Sequence, residues 1–487
     1  MNNETAAPGT DTYPQSLDPF IAGEWSAAAD RPTLAVVNPA DGGEIGRLPV
    51  AGTEDLDAAL AGAERAWPAW RDLLPEERGT VLRGAAALLR ERAAEIATIA
   101  TLEQGKPRSE MLGEVALAAA ILDWYAEEGR RAYGRVLTRR APGTRISVVR
   151  QPVGPVAAFA PWNFPVVNPV RKIAPALAAG CTCVLKPAEE TPASALAVAR
   201  AFADAGLPGG VLSVVFGDPA EISSHLLASP TIRAVGFTGS VPVGKQLSAL
   251  AAERMQRTTM ELGGHAPVIV LGDADVGVAA AHSAYAKLRN AGQICVSPTR
   301  FYVHADVYEP FVEAFAATVA TLPVGDGMEE GNYVGPLAHE RRPAAVAALV
   351  DDALARGARA LTGGGRLDRP GFFFEPTLLV DVPDEARIMR EEPFGPVATV
   401  TRVADLDEAV NRANALPFGL ASYAFTAGAA STRILGERIE AGIVGFNTYA
   451  IATPEAPFGG IKESGHGSEE GIEGLDGFLV TKTLHEA

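Results

Sequence analysis

The feature that most constrains this fold lies after Gly154, where short apolar runs alternate with helical stretches. The runs are "GPVAAFAP", "CTCVLKP", "GVLSVVFG", "IRAVGFTGS" and "APVIVLGDAD", each closed by Gly, Pro, Ser or Asp. Residues 165–180, 189–206, 218–228 and 241–254 read as helices between them. Runs this short, with no polar residue at every second place, are strands buried on both faces. Strands separated by helices pair in parallel, so the reading is an α/β fold with a sheet covered on both sides. A second alternation begins near residue 300 with "RFYVHADV" and runs through a helix at 308–321, "ALTGGG", "FFFEPTLLVDV", "VATVTRVADLDEAVNRAN", "ASYAFT" and "GIVGFN". That is a second α/β lobe.

Residues 53–128 precede both lobes and read as helices, with Thr and Asp caps and apolar positions three and four apart. The basic, β-like stretch 131–150 interrupts the first lobe. Together with the C-terminal "GFLVTKTLHEA" it forms an edge suited to subunit contact. A chain of 487 residues also exceeds what one core organises, so two or more domains are expected.

Charge and cysteine usage narrow the partners. A net charge of −17 excludes nucleic acid as a partner, because a phosphate backbone demands a basic face. The same field weakly repels acidic substrates, so any anion site must be built locally. Cys181, Cys183 and Cys295 show no disulfide framework, and the scattered histidines offer no zinc spacing, so no metal is expected. A reducing cytoplasm fits this set. The polar start "MNNETAAPGTDTYPQSLDP" lacks signal-peptide features and reads as a loosely ordered tail. Apolar runs such as 173–185 are too short to span a bilayer, so no membrane is expected.

Open α/β sheets bind ligands beyond the carboxyl ends of their strands. There the first lobe places Pro161-Trp162-Asn163-Phe164-Pro165, then Lys186-Pro187-Ala188-Glu189, then Thr238-Gly239-Ser240. The GxGxxG fingerprint is absent. Gly239-Ser240 before a helix can offer backbone N–H groups to a phosphate, although such a turn is more often only a turn. Lys186 and Glu189 can hydrogen-bond ribose hydroxyls, although a lone lysine is usually just solvated. Glu261, between apolar residues and a Gly pair, is either a strand-end carboxylate or a general base raised by burial. Cys295, in "NAGQICVSPT", is either a packed sulfur or a nucleophile in an exposed turn.

The motifs "PWNFP", "LKPAEETP", "GFTGSVPVG", "MELGGHAP", "GQIC", "EEPFGP" and "PFGGIKESG" stand in this chain in one co-linear series. In order and spacing the series resembles the NAD(P)-dependent aldehyde dehydrogenase superfamily from about residue 18 to the end. The resemblance implies a Rossmann-like cofactor domain (1–130 and 151–262), an α/β catalytic domain (263–455) and a small β bridging or oligomerisation domain (131–150 and 456–487). It also implies a homodimer or homotetramer. By the same resemblance Cys295 is the nucleophile that adds to the aldehyde, Asn163 helps hold the oxyanion, and Glu261 activates water to hydrolyse the thioester. Trp162, Lys186, Glu189, Gly239, Ser240 and Gly244 match cofactor positions, and Glu392 and Phe394 match residues at the nicotinamide ribose and ring. A polarisable thiolate that can both attack and leave, with a separate base, suits this chemistry independently.

Glu189 bears on the cofactor: a carboxylate at the adenosine ribose accepts from its hydroxyls and repels a 2′-phosphate, so NAD is favoured over NADP. Arg171, in the helix after the Asn163 turn, and Arg289, six residues before Cys295, are either solvated or a clamp for a carboxylate. The succinate-semialdehyde dehydrogenase branch carries arginines at these two places, which implies oxidation of succinate semialdehyde to succinate. Thr453 or Ala452 falls near a serine that helps hold the carboxylate in that branch, so glutaric or 2-oxoglutaric semialdehyde and broad-range aldehyde oxidation stay open. Ser468 stands where the family often has Arg, and Ser297 where some members have a second cysteine. A CoA-acylating enzyme, a catalytically silent binding protein and an esterase-like hydrolase are the remaining alternatives.

Overall fold

The computed structural model describes residues 13–27 and 31–487. Its first sheet has eight strands in the order Glu24–Trp25, Phe20–Ile21, Leu212–Val214, Cys183–Lys186, Val156–Phe159, Ala234–Gly239, Arg257–Leu262 and Gly465–His466. The strands from Leu212–Val214 to Arg257–Leu262 run parallel. From Val156–Phe159 the chain first winds toward Leu212–Val214, then returns to the other side through Ala234–Gly239, which opens a crevice at that reversal. Every residue of Val156–Phe159 and Cys183–Lys186 is buried, which is why those runs lack polar alternation. The intervening helices Val167–Ala179, Pro192–Asp204, Pro219–Ala228 and Val241–Ala252 lie within the stretches expected. Val167–Ala179 is buried along its whole length, so its two cations, Arg171 and Lys172, are enclosed in protein.

The second sheet has seven strands in the order Arg359–Thr362, Thr377–Val380, Val397–Val403, Arg300–His304, Pro267–Val270, Ala421–Phe425 and Ile443–Phe446, parallel except at the first pair. A third, antiparallel sheet joins Leu479–Glu486 to Arg145–Pro152 and Arg135–Leu137. Residues between 456 and 478 follow other courses: Ile461–Lys462 pairs with Phe418–Gly419, and Gly465–His466 pairs with the edge of the first sheet, Gly465 opposite Glu261. Gly465 has φ 123°, and a Cβ there would sit 1.8 Å from the Met260 carbonyl oxygen. Only glycine allows that strand to close against the residue before Glu261.

The polar start departs from the expectation of a loose tail. From Tyr13 onward it is packed: Tyr13 and Leu17 are buried in the main core, and the Tyr13 hydroxyl donates to Glu103 at 2.5 Å. The buried Glu103 carboxylate also takes Ala193 N, Ser194 N and Ser194 Oγ, so the tail is drawn in by an acceptor that needs donors. Residues 1–12 of that stretch lie outside the described residues. Among the described residues no helix is long and apolar enough to cross a membrane, and no group of His, Cys, Asp and Glu is placed to hold a metal ion.

Candidate active site

The crevice contains a cavity of about 470 Å³ that brings together Cys295, Glu261 and Asn163. Cys295 arrives there by a strained connection. After helix Val276–Leu288 the chain passes through Asn290 and Ala291, at φ 49° and 50°, and Gly292, at φ 74°. A Cβ on Gly292 would lie 2.1 Å from the Gly395 carbonyl oxygen, so the close approach requires glycine. Asn290 secures the kink by accepting from Gln104 Nε2 at 2.8 Å and donating to the Asn163 carbonyl at 3.0 Å. Gln293 ties the other side, accepting from Ala338 N at 2.9 Å. As a residue Cys295 is partly exposed, its thiol turned into the cavity, whereas Cys181 and Cys183 are fully buried in the first lobe. Burial pushes the Cys295 thiol up to about 12; Glu392 adds to the rise and Arg171 opposes it.

Glu261, next to last in the strand Arg257–Leu262, is 2% exposed, and neither carboxylate oxygen has a hydrogen-bond partner. Burial raises it well above the ordinary carboxylate range, while the cations Lys172 and Arg171 pull it down. A buried carboxylate with both oxygens unspent on the wall of a cavity is poised to take a proton from water. Lys172 is itself depressed by burial to about 7 and is paired with Glu469 and bonded to Thr238.

Asn163 donates its amide to the Gln293 carbonyl at 3.1 Å and accepts from Asn168 Nδ2 at 3.1 Å. The turn that carries it is held from behind. Glu114 accepts from Val166 N at 2.9 Å, Val167 N at 3.1 Å and Lys106 Nζ at 2.6 Å. Lys106 in turn donates to the Asn163 carbonyl at 3.1 Å and lies over the Phe164 ring at 3.9 Å.

Trp162, Gly239, Ser240, Glu392 and Phe394 line the same cavity as the thiol. Ser240 is the N-cap residue of Val241–Ala252 and its side chain makes no capping bond, so the helix's first N–H groups remain for a ligand. Gly239 and Gly244 allow close packing there, since a Cβ would meet the Phe237 ring at 2.3 Å or Leu262 at 2.4 Å. Phe394 packs edgewise on Trp162 with ring centres 5.5 Å apart. Burial pushes Glu392 up to about 8, while Arg342 and Lys287 oppose the rise. Lys186 and Glu189 form an ion pair outside the cavity lining, at the end of the neighbouring strand. Gly244 also stands outside that lining. These donors and surfaces fit an extended nucleotide: N–H groups for phosphate, a carboxylate for ribose and an aromatic wall for a ring.

At the opposite end of the residue set, Arg171 and Arg289 both line the cavity. Arg171 is already paired: its Nε lies 2.9 Å and its Nη2 2.8 Å from Glu470 Oε1. Arg289 is about half exposed and approaches Glu110 only to 3.6 Å. Thr453 is exposed and does not reach the cavity; its neighbour Ala452 does. Ser297 accepts from the buried Lys287 at 3.1 Å. Lys106, Glu114, Lys172, Glu469 and Glu470 were not anticipated. Lys172 had one legible signal, a cation inside the apolar run "NPVRKIAPAL", and Glu469 had one in the motif "SGHGSEE"; Glu470 had none.

Comparison with known proteins agrees with this geometry. Residues 25–484 match the model of the aldehyde dehydrogenase family. The chain is 48% identical over 466 residues to 4-(hydroxymethyl)benzenesulfonate dehydrogenase TsaD1 of Comamonas testosteroni, covering 96% of this chain and 97% of that one. It is 44% identical over 465 residues to the succinate-semialdehyde dehydrogenase [NADP(+)] GabD of Escherichia coli K12, covering 96% of each. The crystal structure of succinate-semialdehyde dehydrogenase from Burkholderia pseudomallei superposes with a TM-score of 0.96 at 42% identity, covering 99% of this chain and all of that one (100%). With a thiol, an unpartnered carboxylate and a side-chain amide gathered in one crevice of a fold this closely matched, the chain belongs to the aldehyde dehydrogenase family.

Proposed function

We propose that this enzyme oxidises an aldehyde bearing an anionic group to the acid, with succinate semialdehyde as first candidate and NAD as preferred acceptor. The observation that carries the proposal is the single cavity that holds Cys295, Glu261 and Asn163 together with Arg171 and Arg289. Relatives named for a semialdehyde and for a benzenesulfonate share an acidic group away from the reacting carbon, which supports the same class.

The Cys295 thiolate adds to the aldehyde carbon and forms a thiohemiacetal. The developing oxyanion is held by the Cys295 N–H and by the Asn163 amide, which leaves the Gln293 carbonyl to do so. When bound, the nicotinamide supplies the hydride acceptor; Trp162, Gly239, Ser240, Glu392 and Phe394 would hold it, with Lys186 and Glu189 toward the adenosine ribose. Oxidation of the thiohemiacetal leaves a thioester on Cys295. Glu261 in its ionised form takes a proton from water, and the resulting hydroxide attacks the thioester carbon and releases acid and thiol. Glu261 also argues against transfer to CoA, because it provides a base for water. The Glu189 carboxylate disfavours a 2′-phosphate, which supports NAD over NADP. The exposed Val136, Leu137 and Leu484 of the third sheet support a homodimer or homotetramer, and the free thiols support a cytoplasmic setting.

The test is the rate of NADH formation with succinic, glutaric and 2-oxoglutaric semialdehydes and with butanal, repeated with NADP. A strong preference for one carboxylated aldehyde, lost in Arg289→Ala while butanal turnover survives, supports the reading. Equal or better use of butanal would refute the anionic requirement.

A further inference from the structure

Two neighbouring carboxylates answer two neighbouring cations. Arg171 and Lys172 are consecutive in helix Val167–Ala179, and Glu469 and Glu470 follow the edge strand Gly465–His466. Glu469 pairs with Lys172, and Glu470 pairs with Arg171. Lys172 of the first pair and both members of the second act on the charge of Glu261, the cations lowering its pKa and Glu470 raising it. The second pair also bears on the substrate cavity. The Arg171 guanidinium lines that cavity, 4.4 Å over the Phe458 ring, but its Nε and Nη2 both point to one oxygen of Glu470. That edge is one of the two by which a guanidinium grips a carboxylate through two parallel bonds.

Glu470 holds this place against three local disadvantages. It is wholly buried, its Oε2 has no hydrogen-bond partner, and its backbone sits at φ 57°, in the left-handed region that favours glycine. A residue that breaks several local rules while holding a side chain of a functional cavity, as Glu470 holds Arg171, marks a functional constraint.

We propose that Glu470 sets the charge selectivity of this enzyme: it occupies the Nε/Nη2 edge of Arg171 and so lowers the preference for short carboxylated aldehydes. Arg289, half exposed and only loosely approached by Glu110, is then the cavity's principal anchor for a substrate anion. This rests on the preceding reading that the site oxidises aldehydes with an anionic group.

The experiment compares succinic semialdehyde with butanal, which match in chain length and differ by a carboxylate against a methyl group. Both kcat and KM are measured with NAD for wild type, Glu470→Gly, Glu470→Gln and the double variant Arg171→Ala/Glu470→Gly. Glycine suits the left-handed backbone and clears the guanidinium edge; glutamine keeps the shape, removes the charge and serves if the first variant does not fold. The kcat/KM ratio of succinic semialdehyde to butanal should rise by on the order of tenfold in Glu470→Gly. The gain should be smaller in Glu470→Gln, fall mainly in KM, and vanish in the double variant. A ratio that is unchanged or lower in both single variants, or a kcat loss shared equally by the two aldehydes, would overturn the proposal. Wild-type protein that oxidises neither aldehyde would instead refute the functional reading beneath it, whereas an active wild type with an unmoved ratio refutes the role of Glu470 alone.

Discussion

Removing Glu114 should disturb both the stability of the first lobe and the placing of Asn163. Its carboxylate, almost fully enclosed, receives Lys106 Nζ, Val166 N and Val167 N. Glu114→Ala therefore leaves a cation without its partner and two N–H groups without their acceptor. Breaking a buried ion pair from one side costs about 3–5 kcal/mol. Burial already lowers the Lys106 pKa, so the stranded amine can shed its proton and hold the loss to about 4 kcal/mol. Replacing both partners in Lys106→Met/Glu114→Leu removes the stranded charge; the two N–H groups lose their acceptor, while the Asn163 carbonyl gives up Lys106 but keeps Asn290, a loss of about 2 kcal/mol. Urea denaturation of the purified proteins measures both. In the single variant still folded at the assay temperature, kcat should fall roughly a hundredfold with KM little changed, because Val166 N and Val167 N lose the carboxylate that holds the Asn163 turn and the oxyanion donor drifts. A single variant no less stable than the double variant, or one with wild-type kcat, would refute this account of how the turn is held.

Glu261→Gln should release about one NADH per active site in a rapid first phase and then turn over roughly a thousandfold more slowly, as stopped-flow absorbance would record; loss of the first phase as well would show that Glu261 serves the attack on the aldehyde. Because burial pushes Cys295 up to about 12, its alkylation by iodoacetamide in the cofactor-free enzyme should accelerate about tenfold per pH unit from neutrality upward, and a plateau near pH 8 would contradict that setting. The Lys172 cation lowers the pKa of Glu261, so Lys172→Met should move the acidic limb of the kcat–pH profile to higher pH; a limb that stays in place would remove Lys172 from the base's surroundings.

Much of the architecture was legible because buried parallel strands announce themselves: Val156–Phe159 is an unbroken apolar run, and Cys183–Lys186 is apolar up to the lysine that ends it. The helices fall within the expected stretches, and a proline at the first turn sets their starts: Pro219 opens one a residue after the expected start, and Pro192 opens another three residues inside it. Cys295, Glu261 and Asn163 were legible through motif order, and the fold places all three on one cavity. The partners that hold or tune them were not. Glu114 lies in a helix whose periodicity says only that it is a helix, and nothing local indicates that it meets Val166 and Val167. The Arg171 clamp shows the same limit. Sequence identified the guanidinium, but the carboxylate that occupies it is 299 positions away. Tyr13 misled for a related reason: a polar stretch reads as loose until a buried acceptor such as Glu103 claims its one aromatic hydroxyl.

The docking of residues 464–470 has a temporal consequence. Contacts such as Lys172 with Glu469 and Arg171 with Glu470 span 297 and 299 positions, and contacts of such separation close late during folding. Until they close, helix Val167–Ala179 carries two uncompensated cations, and one wall of the thiol's cavity is missing. A chain that has built both large sheets but not seated this segment is therefore catalytically silent. The same order runs backward on heating. The edge strand Gly465–His466 holds the first sheet by a two-residue ladder, so it should leave before the sheets do, and activity should vanish at a lower temperature than the bulk secondary structure.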